Sequence, residues 1–171
     1  MKARYILITA MVLVLDHLTK YWVSATMDPH DTIEIVPGYF SLSYVLNSGV
    51  AFGLFADIQS HWKPYLLAAM AMVAVVVIVL YSRRMPTDRV LLQLALAVTM
   101  GGILGNFADR ILHGNVVDFI ELHLRDAFHW PTFNLADIAI TTGIGMLLLD
   151  TLRHSNNSED RDEAGAAGTQ G

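Results

Sequence analysis

Two stretches of the chain, residues 65–81 (YLLAAMAMVAVVVIVLY) and 90–108 (VLLQLALAVTMGGILGNFA), run 17 and 19 residues without a formal charge. About 20 apolar residues in a helix cross the hydrocarbon core of a bilayer, so each stretch predicts a membrane span. Residues 5–26 form a third candidate, interrupted by Asp16, His17 and Lys20, and residues 135–153 a fourth, with Asp137 near its start and Asp150 near its end. Between the first two spans the period changes. Pro37-Gly38 marks a turn, and after it Phe40, Leu42, Tyr44 and Leu46 alternate with Ser41 and Ser43, the period of a strand. In GNVVDFIEL (114–122) a strand would put Asp118 on one face with Ile120, Leu122 and Leu124, and Glu121 and His123 on the other. Residues 50–62, VAFGLFADIQSHW, set Phe52, Phe55 and Trp62 among polar residues; a short interfacial helix and a loop anchored by its aromatics both suit that pattern. The expected fold is an all-α integral membrane protein of four transmembrane helices, with a small extracytoplasmic β-sheet and a short interfacial helix.

Charge orients the spans. Of the eleven Lys and Arg residues, seven (Lys2, Arg4, Arg83, Arg84, Arg89, Arg153 and Arg161) flank one common side, while residues 27–62 contain none. The positive-inside rule then places both termini in the cytoplasm, with outer loops at 27–63 and 109–134. The opening MKARYILITAMVLVL has the basic start and apolar run of a secretory signal, but it continues through polar residues and lacks a small-x-small cleavage site, so it is expected to stay attached as the first span. Residues 1–154 then form one membrane domain, and residues 155–171, rich in Ser, Asn, Glu, Asp, Gly and Ala with no aromatic residue, are expected to be a disordered cytoplasmic tail.

Composition adds exclusions. The chain is 54% hydrophobic and 16% charged, with a net charge of −5, a balance that gives no basic footprint for nucleic acid. The absence of cysteine rules out disulfides, a cysteine nucleophile and thiolate metal sites.

Depth follows from a rise of about 1.5 Å per helical residue. Asp16 falls some 16 Å along the first span on that rise, and Lys20 one turn further out, spaced i, i+4 with the acid first. Asn106, Asp109 and Arg110 sit at the outer end of the third span, Asn134 and Asp137 at the outer end of the fourth, and Asp118 in the loop between. The polar residues therefore share one outer layer. Caps and interfacial ion pairs would explain some of them: Asn134 as an N-cap with Asp137 on the positive helix end, Asp16 with Lys20 as a structural pair. Yet ionisable groups in spans are costly and mark function, and two carboxylates from separate segments suggest an aspartic pair sharing one proton.

Rival chemistries are weaker. Ser24 with Lys20 could make a nucleophile pair, but Asp16 lies closer to hold Lys20 charged. His113, His123 and His129 share an outer loop without a helical metal-binding spacing, so no metal or other cofactor is expected. The glycines of GGILG (101–105) lack a phosphate-loop lysine and fit close helix packing. A proton-coupled carrier would need polar residues at several depths, and an assembly factor binding by strand addition would not need paired acids.

The ordered set DHLTK (16–20), NSGVAFG (47–53), GGILGNFADR (101–110), GNVVDF (114–119) and WPTFNLAD (130–137) resembles the bacterial lipoprotein signal peptidases, or signal peptidase II. That resemblance implies a four-span intramembrane aspartic endopeptidase of the cell inner membrane, active at the outer face and monomeric. It would cut diacylglyceryl-modified prolipoproteins, held in membrane lipid, just before the lipidated cysteine, and would be inhibited by cyclic peptides such as globomycin. It implies Asp118 and Asp137 as the catalytic pair, with Asp16, Lys20, Asn47, Asn106, Asp109, Arg110 and Asn134 as supporting polar residues and Gly101, Gly105 and Ala136 as close-packing positions. His17, where the family often has Gln, and Ile138, where Ser is frequent, are departures that leave the pair untouched. Arg110 would organise the site or meet a lipid phosphate.

Overall fold

The computed structural model describes residues 3–49, 62–86, 88–125 and 127–168, with side chains as far as residue 154. Four helices are long and apolar enough to cross a membrane: α1 (Ala3–Thr26), α2 (Lys63–Arg84), α3 (Val90–His113) and α4 (Leu135–Gly168), the last over its Leu135–His154 part. Leu7, Leu18, Val73 and Leu148 lie exposed on three of them, which is the inverse of a soluble core and what hydrocarbon solvent permits. The central helix is α3, packed against each of the other three. Its small residues allow that: a methyl group on Gly101 would come within 2.9 Å of the Thr9 carbonyl oxygen on α1, and one on Gly105 would collide with the Asp16 carboxylate. Ala136 is fully buried at the start of α4 against the same seam.

Strands β1 (Thr32–Val36), β2 (Phe40–Asn47), β3 (Val116–Leu124) and β4 (Phe128–His129) form one antiparallel sheet in sequence order. Pro37 and Gly38 make the first turn: the Tyr39 N–H donates to the Val36 carbonyl at 3.0 Å and Gly38 takes φ +79°, the conformation that a type II turn reserves for glycine. The sheet rests on the C-terminal end of α1, where Val23 and Met27 meet Phe119, Leu42 and Tyr44. With four strands present, the label all-α is too narrow: the fold is four membrane-length helices and a four-stranded sheet. The expected interfacial helix lies outside the described residues; Trp62 at its end is exposed.

Two boundaries differ from expectation. Helix α3 runs on through Asp109 and Arg110 to His113, ending at Gly114, whose φ of 75° and N–H to the Arg110 carbonyl (3.1 Å) make a left-handed C-cap. The charges at 109 and 110 had suggested an exit from the membrane, but both are buried. The backbone of α4 continues as helix to Gly168, past the end at residue 153 expected for the fourth span.

Candidate active site

Each polar side chain at the sheet end of the helices is fixed by its neighbour's hydrogen-bonding capacity. Lys20 and Asp16 are one turn apart on α1 and both buried. The Lys20 ammonium lies 2.7 Å from Asp16 Oδ2, 2.8 Å from Asp109 Oδ2 and 2.9 Å from Asn106 Oδ1. A lysine has three donors and no acceptor: Lys20 hydrogen-bonds Asp16 and Asn106, and meets Asp109 as a charge rather than through a hydrogen bond. Ser24 instead donates to the Tyr21 carbonyl, and no Ser-Lys pair forms.

Because Lys20 occupies Asn106 Oδ1, the amide nitrogen of Asn106 must face the other way, where it donates to Asp137 Oδ1 at 2.8 Å. Asn134 is oriented by the start of α4. Its Oδ1 accepts from the Asp137 N–H at 3.0 Å while Asp137 Oδ2 accepts from the Asn134 N–H at 3.2 Å, a reciprocal capping box with Asp in place of Glu. With its oxygen engaged, Asn134 turns Nδ2 to Asp118 Oδ1 at 2.6 Å and to Asn106 Oδ1 at 3.1 Å. Asn47, at the end of β2, follows the same logic: its Oδ1 accepts the Gly49 N–H and its Nδ2 donates to Asp118 Oδ2, both at 2.8 Å. Asp16 closes the ring by accepting the Ala136 N–H at 2.8 Å, a second carboxylate on the positive end of α4.

The sheet delivers Asp118 to this network. The Phe119 and Ile120 N–H groups both donate to the Phe133 carbonyl, at 3.0 and 2.8 Å, and the Phe133 N–H returns a bond to Ile120. Stitching Phe133 to β3 sets the next residue, Asn134, against Asp118. A register shift between Leu42 and Val45 of β2 faces Asp118, a bulge of the sort that re-aims side chains beside active sites. Arg110 is buried, donating to the carbonyls of Asn106 (3.0 Å) and Gly49 (2.8 Å). It therefore ties α3 to the chain just after β2.

A cleft of about 690 Å³ opens beside this layer, with Asp118, Asp137, Asn47, Asn106 and Arg110 on its polar side and Leu122, Trp130, Pro131, Phe133 and Ile138 among its apolar walls. Asp118 is only 2% exposed. Burial, reinforced by the charge of Asp137, pushes its carboxyl up to about 6 against the opposing donors of Asn47 and Asn134. Two carboxyl groups, one with a raised proton affinity, thus border one cleft between an apolar wall and a polar floor, an arrangement suited to proton transfer at a bound polar bond.

Every polar residue expected at the site belongs to this network or ion-pairs with it, Asp109 through Lys20. Sequence reasoning missed the Gly49 carbonyl and the Trp130–Phe133 wall. The aromatic and proline residues immediately before NLAD were the available signal for the wall; nothing local announces a carbonyl. His123 and His129 stack at 5.2 Å beside Glu121, away from the two acids, and His113 ends α3.

Residues 8–153 match the family model described as Signal peptidase (SPase) II. The chain is 38% identical over 156 residues to a lipoprotein signal peptidase of Ectopseudomonas mendocina, covering 91% of this chain and 92% of that one. It is 43% identical over 145 residues to a lipoprotein signal peptidase of Symbiobacterium thermophilum, covering 84% and 91%. A solved bacterial membrane enzyme superimposes with a TM-score of 0.80 at 30% identity, over 92% of both chains.

Proposed function

Since the chain belongs to the signal peptidase II family and is a multi-pass membrane protease that removes signal peptides from prolipoproteins, we propose that Asp118 and Asp137 are its catalytic pair. The observation that carries this is the shared cleft: the two carboxyls come from different elements, β3 and α4, yet border one opening and both accept from Asn134, Asp118 from its Nδ2 and Asp137 from its backbone N–H.

Two neighbouring carboxyls cannot both ionise cheaply, so the pair keeps one proton. The ionised carboxylate takes a proton from water as the water's oxygen attacks the scissile carbonyl, while the protonated partner hydrogen-bonds to that carbonyl and polarises it. Collapse of the tetrahedral intermediate returns a proton to the leaving amine. The proton belongs to the coupled pair. The raised affinity of Asp118 sets the pH at which the pair loses it.

The substrate on this reading is a diacylglyceryl-modified prolipoprotein cut just before the lipidated cysteine. A diacylated chain cannot leave the bilayer, which explains a catalytic layer at the ends of membrane helices under a sheet. Positive residues gather around the α2–α3 connection and in α4 from Arg153 onward, while residues 27–62 carry none, supporting cytoplasmic termini and an outward-facing site. The unit acts as a monomer whose residues 1–154 hold the whole site, and cyclic peptides such as globomycin compete for the same cleft.

The test is cleavage of a lipidated precursor in detergent by Asp118→Asn and Asp137→Asn variants. Each is expected to lose about 10²–10⁴-fold or more, the usual scale for a positioned acid or base, while staying folded. Near-native rates in either variant would overturn the pair. The wild type should also prefer the lipidated precursor to the unmodified one; equal rates would remove the lipid from the substrate's definition.

A further inference from the structure

At the opposite end of the helices from the two acids, α2 and α4 both pack on α3 and leave a groove of about 690 Å³ between them. Its walls are Val77 and Ile78 of α2, Leu92 and Leu96 of α3, and Leu147 of α4. From Leu147 to His154 is seven helical residues, about 10 Å of groove. The polar residues collect at one end, where Arg89, Asp150 and His154 line it.

Arg89 pairs with Asp150 through its NH2 nitrogen, while its Nε is buried without a hydrogen-bond partner. A guanidinium carries five donors in a planar fork, so one carboxylate leaves capacity to spare. Around the pair, Arg83, Arg84, Arg89 and Arg153 outnumber Asp88 and Asp150 by four to two. The end of the groove is therefore net positive even though its central arginine has a partner.

An apolar trough on the lipid-facing side, capped by a cationic head at the depth where the helices leave the membrane, matches one kind of molecule. We propose that this groove binds an anionic phospholipid of the leaflet on the α2–α3 side, its phosphate on the free edge of the Arg89 fork and one acyl chain along Ile78, Leu96 and Leu147. Basic pockets between spans recognise such headgroups by this chemistry. A zwitterionic lipid presents the same phosphate with a compensating ammonium, which the excess of arginines disfavours. The site lies on the far side of the bilayer from the cleft and is separate from substrate binding.

The experiment uses the full-length protein in mild detergent, titrated with phosphatidylglycerol, phosphatidylcholine or inorganic phosphate while thermal unfolding is followed. Phosphatidylglycerol is expected to raise Tm by several degrees and to saturate, phosphatidylcholine to do far less, and phosphate alone to do nothing. Arg89→Lys keeps a charge opposite Asp150 but loses the fork, and should remove most of the shift; Arg125→Gln, at the opposite end of the helices, should keep it. Leu147→Trp fills the trough without altering any charge and should also abolish saturation, so the proposal stays testable if Arg89→Lys does not fold. Equal shifts with both lipids, a shift with phosphate alone, or an unchanged response in Leu147→Trp would overturn it.

Discussion

Replacing Asn47 by Ala removes one of the two amide donors that hold the Asp118 carboxylate, the 2.8 Å bond from Nδ2, and leaves the Asn134 bond in place. Hydrogen bonds to charged groups contribute about 1.5–3 kcal/mol, and about 1.4 kcal/mol corresponds to one pKa unit. The donor favours the ionised form, so its loss raises the proton affinity of Asp118 by about one to two units above its present value, near 6. The sign for activity follows. On the proposed mechanism the singly protonated pair is the active form and disappears as pH rises through the upper apparent pKa, so the alkaline limb of kcat/KM, expected to start near pH 6 in the wild type, moves up by about one to two pH units in the variant. The assay is kcat/KM for a lipidated precursor in detergent from pH 5 to 9. Maximal activity will fall as well, since Asn47 also accepts the Gly49 N–H, but a loss of amplitude moves the profile down without moving it sideways. An alkaline limb that stays in place or shifts to lower pH would refute the assignment of that ionisation to Asp118.

Three further outcomes are expected. Lys20→Met leaves Asp16 and Asp109 buried without their cation, a change that costs about 3–5 kcal/mol, and thermal unfolding in detergent should show the loss; Lys20→Arg should retain more stability than Lys20→Met. Gly105→Ala should destabilise by about 1–3 kcal/mol, the range for overpacking, because its methyl group meets the Asp16 carboxylate, whereas Gly145→Ala on α4, with open space around it, should be neutral or better. Asp118 also links stability to pH. Its folded value of about 6 lies above the unfolded 3.8, so the folded state binds more protons between them and stability falls as pH rises through that window, by about 3 kcal/mol in all. In Asp118→Leu that fall should vanish from the denaturation midpoint measured at pH 4 and pH 7.

The four spans and the strand character of 40–47 and 116–124 were legible because membrane length and two-residue alternation are local signals. The end of α3 was not. Asp109 and Arg110 look like the last charged turn of a span, and only the arrival of Lys20 from α1 and of Gly49 just after β2 lets them stay buried in the helix. Asn47 shows the same limit at the site. Its sequence neighbours say turn, and its contact with Asp118 depends on a strand register set 71 residues away. Order along the chain was enough to place the acids in one layer, but the direction in which each amide points is a property of the assembled network.

That direction is what makes a lysine on α1 matter to acids on β3 and α4. A carboxamide offers an oxygen on one side and a nitrogen on the other, nearly equal in shape, so packing alone does not decide which faces an acid. Lys20 can only donate, and it meets the oxygen of Asn106; the nitrogen is then committed to Asp137. The Asp137 N–H can only donate, and it meets the oxygen of Asn134; the nitrogen is committed to Asp118. Both candidate catalytic acids thereby receive donors, never competing acceptors. The layer holds four acids, Asp16, Asp109, Asp118 and Asp137, against two bases, Lys20 and Arg110. Fully ionised it would carry two uncompensated negative charges in a poorly hydrated place. Lys20 neutralises Asp16 and Asp109 only in part, and Arg110 spends its hydrogen bonds on carbonyls. A single proton retained by Asp118 and Asp137 relieves the excess, so the protonation that acid–base catalysis requires is also the state that the surrounding charges favour.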